Sequence, residues 1–474
     1  MELDKDLAAR QEARALCRKA EAAARQLRQM TQAQLDTITA AMAESFARSA
    51  GDLAELAVQE TGFGNAKDKT LKNTFASQTV LEAIRDMQCV GVLKEDPQRK
   101  LWQIGVPVGV IAAIVPSTNP TSTVCYKALI ALKSGNAIVF SPHPKALGCT
   151  LQAAKIVAEA AEKAGAPAGA ISCLTGGTMT GTQELMTAPE VKLILATGGP
   201  GMVRAAYSSG KPAIGVGAGN GPAYIHPSAD MDKALDCILQ SKNFDHGTVC
   251  ASEQSIIVEK SSEDALLRTA KNKGFYVMSP QEADALGKLL FKPNGGLSPE
   301  VVGKAAPHLA KLAGFSVPNG TQILVARADG VGPKFPYSME KLCPVLALFV
   351  EADEDAVLRK SLEVLSHEGS GHTFCIHAES TDVIRRFALQ MPVSRFLVNT
   401  PAALGGIGYS TGLFPALTLG CGAVGGSSTS NNVSPMDLIN LRMVAWDTEK
   451  QPQKATVDAA LIDLLTAKIL ERLK

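Results

Sequence analysis

Cys250 lies in Phe244-Asp245-His246-Gly247-Thr248-Val249-Cys250-Ala251-Ser252-Glu253-Gln254-Ser255, a Gly-Thr turn ahead of the apolar run Ser255–Val258. A thiol at the mouth of a strand, rather than inside one, is placed to meet a substrate. Most protein cysteines are buried and inert, but no other among the ten in this chain has a comparable setting. To act as a nucleophile the sulfur must be thiolate at working pH, which needs a helix N-terminus or a nearby cation. His246 and His372 are the candidates for that charge.

Further stretches sit where the edge of a parallel sheet meets ligands. Asn119, in Ile114-Val115-Pro116-Ser117-Thr118-Asn119-Pro120, follows directly on an expected strand. From that edge its amide can donate to the oxyanion formed when a thiolate attacks a carbonyl. An Asn before Pro is also a common turn residue. Ala196-Thr197-Gly198-Gly199-Pro200 reads as strand, glycines, helix. Such a turn lets a pyrophosphate approach the N–H groups of a helix start, although the spacing is not GxGxxG. Ser141-Pro142-His143-Pro144 occupies an equivalent edge, where it either meets an adenosine ribose or serves as a Pro-stiffened loop. Gly215-Val216-Gly217-Ala218-Gly219-Asn220-Gly221-Pro222 suggests a chain passing very close to a ligand. Glu340, in Glu340-Lys341-Leu342-Cys343-Pro344, holds a ribose or is a solvated charge.

The elements that must position these groups follow from pattern and composition. A chain of 474 residues can bury a large core in two or three subdomains. Its 47 Lys+Arg against 46 Asp+Glu leave no basic patch, which argues against nucleic acid as a partner. No apolar run reaches membrane-spanning length. The cysteines form neither CxxC pairs nor Cys/His clusters, so neither a metal site nor a disulfide framework is expected. With no signal sequence at Met1-Glu2-Leu3-Asp4-Lys5-Asp6, the expectation is a reducing, cytoplasmic location.

Residues 1–90 read as helices, with a capping box at Thr31–Gln34. From Val106, strands over Val108–Val115, Ala137–Phe140, Ile171–Thr175, Val191–Ala196 and Pro212–Val216 alternate with helices over Ser122–Leu132, Ala146–Ala164 and Gly181–Ala188. That alternation, with strands apolar on both faces, indicates a parallel sheet covered by helices. A second series runs from about Lys242 to Thr400, and Leu441–Trp446 reads as a further strand. Asp447–Thr456 has the character of a linker. Val457–Lys474 is an amphipathic helical tail, better suited to docking a partner than to folding back on its own domain.

Together, Glu60-Thr61-Gly62 with Asp68-Lys69, Pro116–Ser122, Ser141–Pro144, Leu195–Gly219, Phe244–Ser255 and Thr418-Leu419-Gly420-Cys421-Gly422 resemble the aldehyde dehydrogenase superfamily over roughly residues 10–446. More specifically they resemble the acetaldehyde dehydrogenase half of bifunctional aldehyde–alcohol dehydrogenases and the related microcompartment enzymes. The resemblance implies an α/β fold. N-terminal helices and a Rossmann-like NAD-binding domain would occupy 1–222, and an α/β catalytic domain with Cys250 would occupy 223–410. Residues 411–446 would return to the cofactor domain and supply an oligomerisation strand. A small β-arm near 100–106 would pair subunits into a dimer or tetramer. The resemblance also assigns Cys250 as nucleophile, with Asn119 and the Cys250 backbone N–H as oxyanion donors. Thr197, Gly198 and Gly199 would lie by the cofactor phosphates, Ser141 and His143 by the adenosine, and Glu340 by the nicotinamide ribose. Pro116 and Gly217 would also line the cofactor site, and no metal is implied.

Hydrolytic members of this family activate water with a Glu in a Glu-Leu-Gly-Gly motif; aligning on Pro222 puts Val216 at that place. A thioester without a local base for water survives until the thiol of coenzyme A takes the acyl group. The expected reaction is therefore a short aldehyde, acetaldehyde or propionaldehyde, with NAD and CoA giving acyl-CoA and NADH. Sulfoacetaldehyde is a variant substrate. NAD is expected over NADP, although Lys145 stands near Ser141, where a 2′-phosphate would want a cation. The tail, in place of an iron-dependent alcohol dehydrogenase half, resembles peptides that dock enzymes to a bacterial microcompartment shell. The alternatives are a phosphate-dependent semialdehyde reductase and a non-catalytic shell-associated protein.

Overall fold

A computed structural model of the chain describes residues 4–448 and 459–473. The N-terminal region is helical: α1 (Lys5–Leu27), α2 (Gln32–Arg48), α3 (Ala50–Thr61), α4 (Ala66–Thr74), a π turn (Phe75–Thr79) and α5 (Val80–Ile84). The capping box forms at the start of α2. The Thr31 hydroxyl accepts from the Gln34 N–H, and the Gln34 side-chain oxygen accepts from the Thr31 N–H at 2.9 Å. α4 is unusual in what it buries. Asn65 caps it by accepting from the Asp68 N–H, and its inward face carries Lys69 and Lys72, both buried. Buried ammonium groups demand fixed partners, and those partners lie at the site described below.

Two antiparallel arm strands, β1 (Gly91–Asp96) and β2 (Leu101–Pro107), precede a five-stranded parallel sheet. Its strands are β3 (Val110–Ile114), β4 (Ala137–Ser141), β5 (Ile171–Cys173), β6 (Val191–Thr197) and β7 (Ala213–Val216). They are connected by α6 (Pro120–Lys133), α7 (Leu147–Lys163), α8 (Met179–Thr187) and α9 (Pro200–Tyr207). β3 and β4 are buried at every position, as a sheet covered on both faces requires. The spatial order is β5-β4-β3-β6-β7, so the direction of winding reverses between β3 and β6. At that reversal Lys127 of α6 donates to the carbonyls of Ile114 and Leu195, each at 2.9 Å. One buried lysine amine thus ties together the carboxyl ends of the two strands that flank the crevice.

The second sheet is also parallel and has seven strands: β8 (Gly221–Ile225), β9 (Glu253–Glu259), β10 (Phe275–Val277), β11 (Ile323–Arg327), β12 (Val345–Glu351), β13 (Gly371–His377) and β14 (Val393–Val398). Their order is β10-β11-β12-β9-β8-β13-β14. The division expected after residue 222 falls inside β8, because the chain changes sheets earlier, within the glycine run. There the backbone of Gly219 presses on the Cys250 loop: a Cβ on Gly219 would lie 1.8 Å from the Cys250 carbonyl oxygen. Only glycine allows that approach.

After this sheet the chain packs again on the first core, through Leu417, Leu419, Val433 and Leu438. Ser427 and Ser428 donate to the carbonyls of Gly215 and Ala213. β15 (Ile439–Ala445) then pairs antiparallel with β2, completing a three-stranded arm on which Trp102 and Trp446 meet edge-on at 4.9 Å. Val92, Leu441, Met443 and Trp446 are exposed on it. Of the linker expected over Asp447–Thr456, residues 449–456 lie outside the described residues, as do Val457, Asp458 and Lys474 of the tail. A helix spans Ala459–Arg472, with Ile462, Leu464, Leu465, Ile469 and Leu470 exposed. Among the described residues no helix is long and apolar enough to cross a membrane.

Candidate active site

A cleft of about 420 Å³ gathers residues that the sequence scatters. Pro116–Asn119 enter from the end of β3, Thr197–Pro200 from the end of β6 and Val216–Ala218 from the end of β7. Thr248–Cys250 and Glu340 complete it from the second sheet, while His143 and Lys145 reach it from the loop after β4. The loops after β3 and β6 flank the reversal of strand order, where a doubly wound sheet opens a crevice for ligands. Ser141 is not brought there. It is buried, and its hydroxyl is paired with that of Thr182 on α8 at 2.8 Å, a strand-to-helix tie.

Cys250 is half-buried in the turn before β9. The loop leading to it is strained: Asp245 and His246 both take left-handed backbone, with φ of 48° and 52°. Such residues cost about 1–3 kcal/mol each and persist only where their surroundings hold them. Here the Asp245 carboxylate does so. One oxygen accepts from the Asn65 N–H at 2.8 Å; the other accepts from Lys69 at 2.8 Å, Lys72 at 2.6 Å and the Thr248 hydroxyl at 2.7 Å. The Asp245 N–H in turn donates to Asp68 at 2.7 Å. The Cys250 loop is thereby bolted to α4.

Burial pushes the Cys250 thiol up to about 12; Glu340 and Cys421 add to that rise, and Arg395 opposes it. The histidines expected to supply positive charge do not. Burial holds His246 below its ordinary value. His372 is sealed in the interior with Nδ1 paired to the Thr373 hydroxyl at 2.8 Å, and burial together with Arg395 drives it far down. Both rings are neutral, and the cation near the sulfur is Arg395 of β14. That guanidinium is 2% exposed, donates to the Gly420 carbonyl at 2.7 Å and makes no ion pair among the described residues.

The Asn119 side chain has a defined direction. Its oxygen accepts from Lys72 at 2.6 Å, and its nitrogen donates to the Thr248 carbonyl at 3.1 Å, so the donor end faces the Cys250 loop. Glu340 accepts from the Gly219 N–H at 3.0 Å. Burial, with Glu368 nearby, pushes its carboxyl up to about 8, which leaves it largely protonated at neutral pH. Thr197 holds a buried hydroxyl with no hydrogen-bond partner. A Cβ on Gly199, the cap of α9, would meet nothing within 4 Å, so the helix start is open to a ligand.

Residues 4–285 match the aldehyde dehydrogenase family. The chain belongs to that family. It is 44% identical over 443 residues to the bifunctional aldehyde-alcohol dehydrogenase AdhE of Escherichia coli (strain K12), a match covering 92% of this chain and 50% of that protein. The chain thus spans about half the length of the bifunctional curated relatives it matches. The structure of an acetylating aldehyde dehydrogenase from Geobacillus thermoglucosidasius superposes with a TM-score of 0.93 at 46% identity, covering 96% of this chain and 100% of that one. A propionaldehyde dehydrogenase from the Clostridium phytofermentans fucose utilisation bacterial microcompartment gives a TM-score of 0.82 at 27% identity, covering 91% and 96%.

For an aldehyde dehydrogenase the donor set fits a dinucleotide: an unpaired Thr197 hydroxyl and an open helix start for phosphates, and a protonated carboxyl at Glu340 for a ribose. Val216 lines the same cleft with no titratable group to offer. Sequence reasoning missed Lys72, the anchoring role of Asp245, and Arg395. Lys69 and Lys72 share a helix face at i, i+3, which was the one available hint of the first two. Arg395 carries no local signal at all, because only packing brings its charge within electrostatic reach of Cys250.

Proposed function

We propose that this chain is a CoA-acylating, NAD-dependent aldehyde dehydrogenase: aldehyde, NAD⁺ and CoA give acyl-CoA, NADH and a proton. The observation that carries the reading is the shared cleft. A half-buried cysteine faces strand ends open to a dinucleotide, and valine stands where a water-activating carboxylate would act. Its relatives named acetylating, or aldehyde-alcohol, dehydrogenases support the same reading.

Cys250 adds through sulfur to the aldehyde carbon, losing its proton as the bond forms. The Asn119 N–H and the Cys250 backbone N–H receive the oxyanion. Thr197, Gly198 and Gly199 would hold the cofactor phosphates, His143 would stand at the adenosine end, Glu340 would hold the ribose, and Pro116 and Gly217 would form the walls. When bound, NAD⁺ would supply the hydride acceptor and a positive charge that favours the thiolate of a thiol that burial otherwise keeps protonated. An acyl thioester is left on Cys250. Among the described residues the one carboxyl lining the cleft, Glu340, is largely protonated at neutral pH and is a poor base for water, so the acyl group waits for the CoA thiol. Short aldehydes, acetaldehyde or propionaldehyde, are the substrates. The apolar arm pairs subunits, and the exposed face of the Ala459–Arg472 helix docks on a shell.

The test is NADH formation over a panel of aldehydes, with and without CoA. Acyl-CoA formation that needs CoA is expected, and Cys250→Ala abolishes it together with any esterase activity. Full activity in that variant refutes the mechanism. Turnover driven by phosphate instead of CoA favours a semialdehyde reductase, and failure to bind NAD⁺ favours a non-catalytic role.

A further inference from the structure

We infer that Lys72 is a positioning residue: it fixes which end of the Asn119 carboxamide faces the Cys250 loop. The inference rests on the reading of Asn119 as an oxyanion donor. A carboxamide is nearly symmetric in shape, so turning it over exchanges donor and acceptor with little steric consequence. Turned the wrong way, Asn119 would present oxygen to a developing negative charge. Lys72 removes that freedom. An ammonium has three donors and no acceptor, so the atom 2.6 Å from it must be the amide oxygen.

The lysine head is itself fixed. It donates to Asn119, to Asp245 at 2.6 Å and to the Thr248 hydroxyl at 3.1 Å, and it lies 5.3 Å from the centre of the Phe244 ring. Three donors meet three acceptors, and the residue is 2% exposed, so water offers no exchange. A cation on the carbonyl side also polarises the amide and strengthens its N–H as a donor. The strained turn gains a purpose from this arrangement: left-handed backbone at Asp245 aims its carboxylate at the lysine and opposes the cost of burying the charge. The other charged groups acting on Lys72 are Lys69 and Asp68 of its own helix. Lys69 keeps its own bond to Asp245 at 2.8 Å, so removing Lys72 leaves that carboxylate paired.

The experiment uses the full chain and reads the single-turnover rate of NADH formation at saturating NAD⁺, alongside the affinity for NAD⁺. Asn119→Ala, the reference, is expected to slow the step about 100-fold, the usual loss for one oxyanion donor. Lys72→Met removes the charge. Lys72→Gln substitutes an amide that pairs with Asn119 either way up, and carries the same test should the Met variant fail to fold. Each is expected to slow the step about 10- to 100-fold while NAD⁺ affinity stays within about twofold. Lys72→Arg, still a charged donor without acceptors, is expected to recover most of the rate. In the Asn119→Ala background, Lys72→Met is expected to cost little more, because the two act as one unit. If Asn119→Ala keeps its rate, the oxyanion reading fails on its own account. If Asn119→Ala is slow but the Lys72 loss multiplies with it, or the Lys72 variants keep full rate, the positioning role is overturned.

Discussion

On the proposed reaction, Val216 and Glu340 would decide between them where the acyl group goes. Val216 lines the cleft and cannot take a proton. Val216→Glu is expected to divert part of the product from acyl-CoA to free acid, read by quantifying both; no increase in acid removes the argument from the missing base. Glu340 is the cleft's own carboxyl, and its pH behaviour follows from its burial. Raised to about 8, it stays protonated below that pH and becomes a base above it. The ratio of free acid to acyl-CoA should therefore climb as pH passes about 8, and Glu340→Gln should flatten the climb. An equal rise in both proteins would assign the effect to hydroxide. At this scale the sequence singled out the one cysteine that the fold brings to the cleft but misassigned its electrostatics. His246 and His372 were chosen for their residue type, yet burial neutralises both, and the nearby cation comes from Arg395.

The strands were legible because a sheet buried on both faces writes itself as short apolar runs, and β3, β4 and β6 lie within two residues of expectation at either end. α4 was not legible as a site element, since it reads Ala66-Lys67-Asp68-Lys69-Thr70-Leu71-Lys72-Asn73-Thr74 and packs through lysines rather than an apolar stripe. α6 hides a similar device in Lys127. Burial alone lowers that ammonium to about 7. Between pH 7 and the ordinary lysine value the unfolded chain binds a proton that the folded chain does not. Stability is therefore lost as pH falls through that window, by up to about 1.4 kcal/mol per pH unit, and levels off below it. Lys127→Met should flatten the rise of stability between pH 7 and 9 in denaturant titrations, while lowering stability at pH 9 through the loss of two strand-end hydrogen bonds. An unchanged slope would mean that Lys127 does not titrate there.

For the molecule as a whole, the arm is a small sheet with little beneath it. β1, β2 and β15 leave Val92, Leu441, Met443 and Trp446 exposed on three strands, and exposed apolar side chains gathered on one small element mark an interaction surface. Leu441→Glu combined with Met443→Glu is expected to reduce the molar mass measured by light scattering to that of one chain. A wild-type chain that is already monomeric, or a variant that stays assembled, would rule out the arm as the contact.

Contiguous strings determined the elements, the cysteine that lines the cleft and the strand-end loops around it, because those properties reside in neighbouring residue types. Only the tertiary structure decided which strand ends adjoin. The β3–β6 reversal made Pro116–Asn119 and Thr197–Pro200 two walls of one cleft, and the packing of α8 took Ser141 away from it. It also set the charge states of Cys250, Lys72 and Glu340. Desolvation and Coulomb interaction depend on distances through space, and a linear string does not carry them.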